Sequence, residues 1–160
     1  MNVFDQKAWT AGAAARIALA ALVTAVAPAA WATPPLLLEL NKLEALSQAG
    51  SAGAGGCRAY LVAQNPDPEP LEQLRLDLVL FGMDGVIARR VAMELGPLAP
   101  GKTVVRLFDL QGLPCEGIGR MLVNDVVACR AGGPAPADQD RAGCLDRLAV
   151  SSRAAAPLVK

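Results

Sequence analysis

The residues that could do chemistry are few, and each has a structural use competing for it. Gly96-Pro97-Leu98-Ala99-Pro100-Gly101-Lys102-Thr103 fits the phosphate-loop pattern G-x-x-x-x-G-K-T letter for letter. That pattern works because backbone amides and a helix N-terminus face the phosphates. Pro97 and Pro100 have no amide hydrogen, and the following Val104-Val105-Arg106-Leu107-Phe108-Asp109 is β-branched and alternating. The segment reads as a Pro-Gly turn joining two strands. Val104 to Asp109 also follows too closely to be the separate, acid-tipped strand of a nucleotide site.

The chain contains no histidine. This removes the commonest general base and the commonest metal ligand together, and with them a serine triad of the usual form. Asp77, Asp84, Glu94, Asp109, Glu116 and Asp125 fall on different expected strands and turns, so they do not cluster. Asp84 serves a turn. Asp138, Asp140 and Asp146 lack the further alternating oxygen donors of a calcium loop. Arg75, Arg89, Arg90, Arg106 and Arg120 form a candidate binding stripe if their strands are neighbours. Outward arginines on edge strands also keep those edges soluble and unpaired. Tyr60 and Phe108 alone make no aromatic patch. The expectation is a non-enzymatic chain with no cofactor and no metal.

Four cysteines remain: Cys57, Cys115, Cys129 and Cys144. No C-x-x-C supports a redox-active pair. An even count in a small exported domain reads as two disulfides. Cys115 and Cys129 flank one expected strand, and extended chain rises about 3.3 Å per residue. A disulfide needs Cα atoms within about 7 Å. That disfavours 115–129, and 57–144 with it. Two connectivities stay open. Pairing 57–115 with 129–144 is favoured, because it closes the 131–143 loop locally; the other is 57–129 with 115–144.

Export is read from the other end. Residues 1–16 lean positive through Lys7, Arg16 and the free amine, against Asp5. Residues 17–32 carry no charge and end in Ala30-Trp31-Ala32. Basic, apolar, then small is the order of a cleavable secretory signal. The uncharged run of 16 residues is shorter than the roughly 20 that span a bilayer. Cleavage is expected after Ala32, leaving 128 residues with all four cysteines and no permanent membrane span. No Cys follows the site to take a lipid, and no Arg-Arg pair indicates the twin-arginine route.

Strands must position whatever acts in this region. The full chain has 160 residues, enough for one domain. Leu36 to Glu44 reads as a strand, though Leu36, Leu40, Leu43 and Leu46 also fit a helical period. Residues 47–56 read as a flexible loop. Cys57 to Gln64 is a strand ended by Asn65-Pro66-Asp67-Pro68-Glu69-Pro70. Leu74, Leu76, Leu78 and Leu80 alternate without a fault. Met83-Asp84-Gly85 is a hairpin signal before a strand over Val86 to Leu95. Lys102 to Leu110 is the next, with Val105 and Leu107 alternating against Arg106 and Phe108. Ile118 to Cys129, apolar on both faces, should be central. Residues 131–143 read as a loop, Cys144 to Ser151 as a last strand, and 154–160 as a frayed, flexible tail. The sum is an all-β, immunoglobulin/fibronectin-like antiparallel β-sandwich of about 6–7 strands over 33–153.

Cys57-Arg58-Ala59-Tyr60-Leu61, Leu76 to Phe81 with Asp84-Gly85, Phe108-Asp109-Leu110, Gly112-Leu113-Pro114-Cys115, Ile118-Gly119-Arg120 and Asn124-Asp125 resemble one family. It is an uncharacterised proteobacterial exported family often labelled "Tat pathway signal" proteins. The resemblance covers about residues 36–153. It implies an envelope location and assigns no activity and no catalytic residue.

Basic and acidic residues balance at 15 each, and aromatics are 4%. Neither a bulk charge nor a stacking platform points to nucleic acid. The reading is a periplasmic or secreted protein that binds another envelope protein. The alternative is a small-ligand or metal-binding periplasmic module.

Overall fold

Alternating leucines over 36–40 and 74–80 build two of the long strands, and alternation of other apolar residues builds others. A computed structural model describes residues 34–46, 55–134 and 137–160. The expected leader, with Ala30 and Ala32, and most of the 47–56 loop lie outside these residues. The described strands are β1 (Leu36–Leu46), β2 (Gly56–Gln64), β3 (Leu71–Phe81), β4 (Ile87–Glu94), β5 (Thr103–Leu110), β6 (Arg120–Ala131), β7 (Ala137–Asp138), β8 (Leu148–Ser152) and β9 (Leu158–Val159). A 3-10 turn covers Cys115–Gly117, and helix α1 covers Arg141–Arg147.

One sheet has the order β5-β2-β1-β8. The other runs β4-β3-β6-β7, with β9 also paired to β6. Leu38 and Leu61 from the first sheet share one buried cluster with Leu76 and Val123 from the second. The protein is therefore mostly β and sandwich-like. Its pairing is not wholly antiparallel as expected: β1 with β8 and β6 with β9 run parallel. Parallel strands need a long connection between them, and here the whole domain lies between β1 and β8.

The first segment is a strand, and a bulge explains its helical look. Leu36, Leu38 and Leu40 are buried. The register with β2 then slips between Leu40 and Lys42. One slipped residue moves the inward set to the other parity, so Leu43 packs on the core. Two further slips do the same in β6, opposite Arg75/Leu76 and Asp77/Leu78. Met121, Val123, Val126 and Cys129 are inward, while Val127 is exposed. The strand is central, between β3 and the short β7 and β9. Its apolar residues on both parities reflect the bulges as well as burial.

The turns follow their chemistry. Gly85 takes a φ of 78°, its amide donates to the Gly82 carbonyl, and the Asp84 carboxylate accepts from the Val86 amide. Such a φ favours glycine. Residues 96–101 form a turn that runs into strand β5, so no helix faces a phosphate there.

Three readings of the C-terminal region are corrected. Cys144 to Arg147 belong to α1, because the Asp140 carboxylate accepts from the Gly143 amide and caps that helix. The 131–143 loop contains β7, which pairs with Arg130 and Ala131. The tail is not frayed. Ala156 and Leu158 are buried, Leu158 lies opposite Met121, and the Met121 amide donates to the Pro157 carbonyl.

The disulfides join Cys57 to Cys115 and Cys129 to Cys144, with Cα atoms 4.9 and 6.6 Å apart. The first ties β2 to the 3-10 turn, and the second ties β6 to α1. Among the described residues no helix is long and apolar enough to cross a membrane.

Candidate functional site

Burial fixes which side chains of the first sheet can meet another molecule. Leu36, Leu38, Leu40, Cys57, Ala59, Leu61 and Ala63 fill the interior. Their neighbours along β1 and β2 must face out. The register then sets Gln64, Val62, Tyr60 and Arg58 of β2 opposite Thr103, Val105, Leu107 and Asp109 of β5. On the other side, Val62 meets Glu39, and Tyr60 meets Lys42. Leu37 and Glu39 meet Ala149 and Ser151 of β8.

This face divides in two. At one end the charges close on each other. Arg58 donates two hydrogen bonds to Asp109, at 2.6 and 2.8 Å. Lys42 donates to Glu44 at 2.7 Å, and the Tyr60 hydroxyl donates to the same carboxylate. Arg58 holds the Asp109 carboxyl below its ordinary range. Lys42, then Tyr60, does so for Glu44, and that carboxylate in turn raises the phenol of Tyr60.

The other end is apolar and exposed. Val105 keeps 52%, Leu107 50% and Leu37 41% of their surface. A hollow of about 270 Å³ opens between β1, β2 and β8, lined by Leu37, Val62 and Ala149 with Glu39, Gln64 and Ser151. The apolar patch adjoins β5, which has no strand on its far side among the described residues. β5 pairs with β2 over eight residues without a slip, and contains neither proline nor lysine. Those are devices that commonly blunt an open edge.

The five candidate arginines do not all share one face. Arg75, Arg89, Arg90 and Arg120 lie on the neighbouring strands β3, β4 and β6 of the second sheet, and Arg106 on the first. Arg90 is bound to Asp77, and Arg120 lies 4.0 Å from the centre of the Phe81 ring. Arg89 sits opposite the buried Leu80, on the inward parity of edge strand β4. The Arg106 guanidinium donates to the Leu95, Gly96 and Pro97 carbonyls. Arg75, Arg90 and Arg120 thus share the outer face of the second sheet, while Arg89 is on its inward parity and Arg106 is on the other sheet.

The carboxylates are closer than expected. Asp77 and Asp125 are register partners across β3 and β6. Asp77 accepts from Arg90 at 2.7 and 2.8 Å and from Asn124 at 2.7 Å, which leaves it ionised. Asp125 accepts from the Val126 amide. Asp77 is therefore not poised as a raised-pKa acid. No group of three or more Cys, Asp or Glu residues converges as a metal site among the described residues.

Sequence reasoning passed over Leu37, Val62, Val105 and Leu107 as a surface. The signal for them was present in β5, where Val105 and Leu107 alternate with Arg106 and Phe108. Hydrophobic identity points Val105 and Leu107 inward. The register turns them out and sets Phe108 opposite the buried Ala59, while Arg106 lays its stem inward and ends on main-chain carbonyls.

No protein-family model and no curated protein matches the chain. A solved structure of IrmA from Escherichia coli is similar over 72% of this chain and 90% of that one, with a TM-score of 0.49 and 11% identity.

Proposed function

We propose that this is an exported, non-enzymatic, immunoglobulin-like sandwich of the periplasm that binds another envelope protein through the outer face of its β5-β2-β1-β8 sheet. The observation that carries this reading is the exposed strip of Val105, Leu107 and Leu37 beside an open strand edge. Contiguous exposed apolar surface marks interaction sites. The charges on that face are already paired, so apolar surface is what remains to recognise a partner. Two disulfides fit an oxidising compartment, as the leader and the family resemblance also suggest.

The strand order supports the immunoglobulin-like reading. β1, β2 and β5 stand as A, B and E, and β4, β3 and β6 as C′, C and F. The last two strands depart from that plan, since β8 pairs parallel with β1 and β9 parallel with β6.

Capture from envelope extracts with the oxidised protein as bait tests the function. A specific protein is expected with the wild type and not with Leu107→Glu. Recovery of nothing specific, or equal recovery with both baits, contradicts it.

A further inference from the structure

We infer that the open edge of β5 accepts an extended strand of the partner carrying acidic side chains at alternate positions. This rests on the reading of the protein as a binder of another protein, and names the kind of segment it takes. Adding a strand to an open edge gives affinity through main-chain hydrogen bonds, while side chains on the two faces give specificity. β5 offers eight residues in unbroken register for this.

Its two faces differ. Beside Val105 and Leu107 an added strand meets apolar surface. Along the other side lie cations. Lys102 immediately precedes β5, and Arg106 lies in its middle. Arg89 reaches its end, with Nη2 4.0 Å from where a side chain on Gly112 would begin. None of the three forms an ion pair among the described residues. The one carboxylate of β5, Asp109, is held by Arg58. Arg106 uses Nε and Nη2 on carbonyls, and its guanidinium has five N–H donors in all. Positions 102 and 106 are four residues apart, about 13 Å on an extended strand. Acidic residues at alternate positions of an added strand can match that spacing.

A second copy of this chain fits less well. Antiparallel self-pairing that sets Val105 against Leu107 of the copy sets Arg106 against itself, and like charges directly opposite are destabilising.

Two labelled nine-residue peptides, Val or Thr alternating with Glu and the same sequence with Lys, are titrated into the oxidised protein by fluorescence anisotropy. The acidic peptide is expected to bind at least tenfold more tightly, to weaken with added salt, and to slow amide exchange within 103–110. Arg89→Glu is expected to weaken it at least fivefold. If that variant does not fold, Arg89→Ala and the wild-type salt dependence carry the same test. Equal affinity for both peptides, no saturable binding, protection on another strand, or a dimer that protects 103–110 without peptide overturns the proposal. Envelope capture lost in Leu107→Glu but intact in Arg89→Glu removes the acidic-strand inference and leaves the outer-face reading standing.

Discussion

The carboxylate of Asp77 lies beneath the guanidinium of Arg90 across β3 and β4, with both oxygens bonded at 2.7 and 2.8 Å. Asp77 is 5% exposed although it sits on the outer face of its sheet. Arg90 covers it and Asn124 donates from β6, so one side chain joins three strands.

The Arg90 hydrogen bond, helped by Asn124 and opposed by burial, lowers the pKa of Asp77. A carboxyl with a folded-state pKa below its unfolded value stabilises the fold above the unfolded pKa of about 4, and this is lost as pH falls further. Asp77→Asn is expected to cost about 1–3 kcal/mol near neutrality. Denaturant unfolding from pH 7 to pH 3 should show that deficit constant above about pH 5 and shrinking below about pH 4. A deficit that stays constant to pH 3 contradicts the ion pair.

The two disulfides should differ in weight. Cys57–Cys115 spans 58 residues and Cys129–Cys144 spans 15. Restriction of the unfolded chain then gives about 4 kcal/mol for the first and about 3 for the second. Paired Cys→Ser variants unfolded in urea should rank in that order.

Leu158 anchors the C-terminal residues on β6 and is 4% exposed. Leu158→Ala should cost about 2–4 kcal/mol. A melting temperature unchanged in that variant would show the tail to be loose.

Asn65 is fully buried. Its side-chain amide donates to the Glu69 and Leu98 carbonyls, its side-chain oxygen accepts from the Asp67 amide, and its own amide donates to the Lys102 carbonyl. It therefore joins the proline-rich segment to the 96–101 turn. Asn65→Ala should cost about 2–3 kcal/mol, since it strands buried polar groups. Thermal unfolding measures it.

Strand positions were legible wherever one period ran unbroken, as in Leu74 to Leu80. They blurred at β1 and β6, because a bulge changes parity without changing residue type. Alternation cannot register one extra residue until the partner strand is known. The tail misled for another reason. Ala154-Ala155-Ala156-Pro157 carries no strand pattern, and its order comes from the Leu40 carbonyl of β1 and the Met121 amide of β6, both far earlier in the chain. The candidate arginine stripe was divided because sequence gives neither the sheet of β5, which sets Arg106 apart, nor the parity of β4, which turns Arg89 inward. The apolar patch was hidden by a sound rule, that valine and leucine go inward, which β5 breaks at Val105 and Leu107.

The central claim, export into an oxidising compartment followed by folding of the mature domain, is tested by one peptide map. Protein recovered from the envelope of an expressing cell is digested without reduction, and its N-terminus and cross-linked peptides are sequenced. The account predicts Thr33 as the first residue, with Cys57 joined to Cys115 and Cys129 to Cys144. An intact Met1 with free thiols, or Cys57 joined to Cys129, contradicts it.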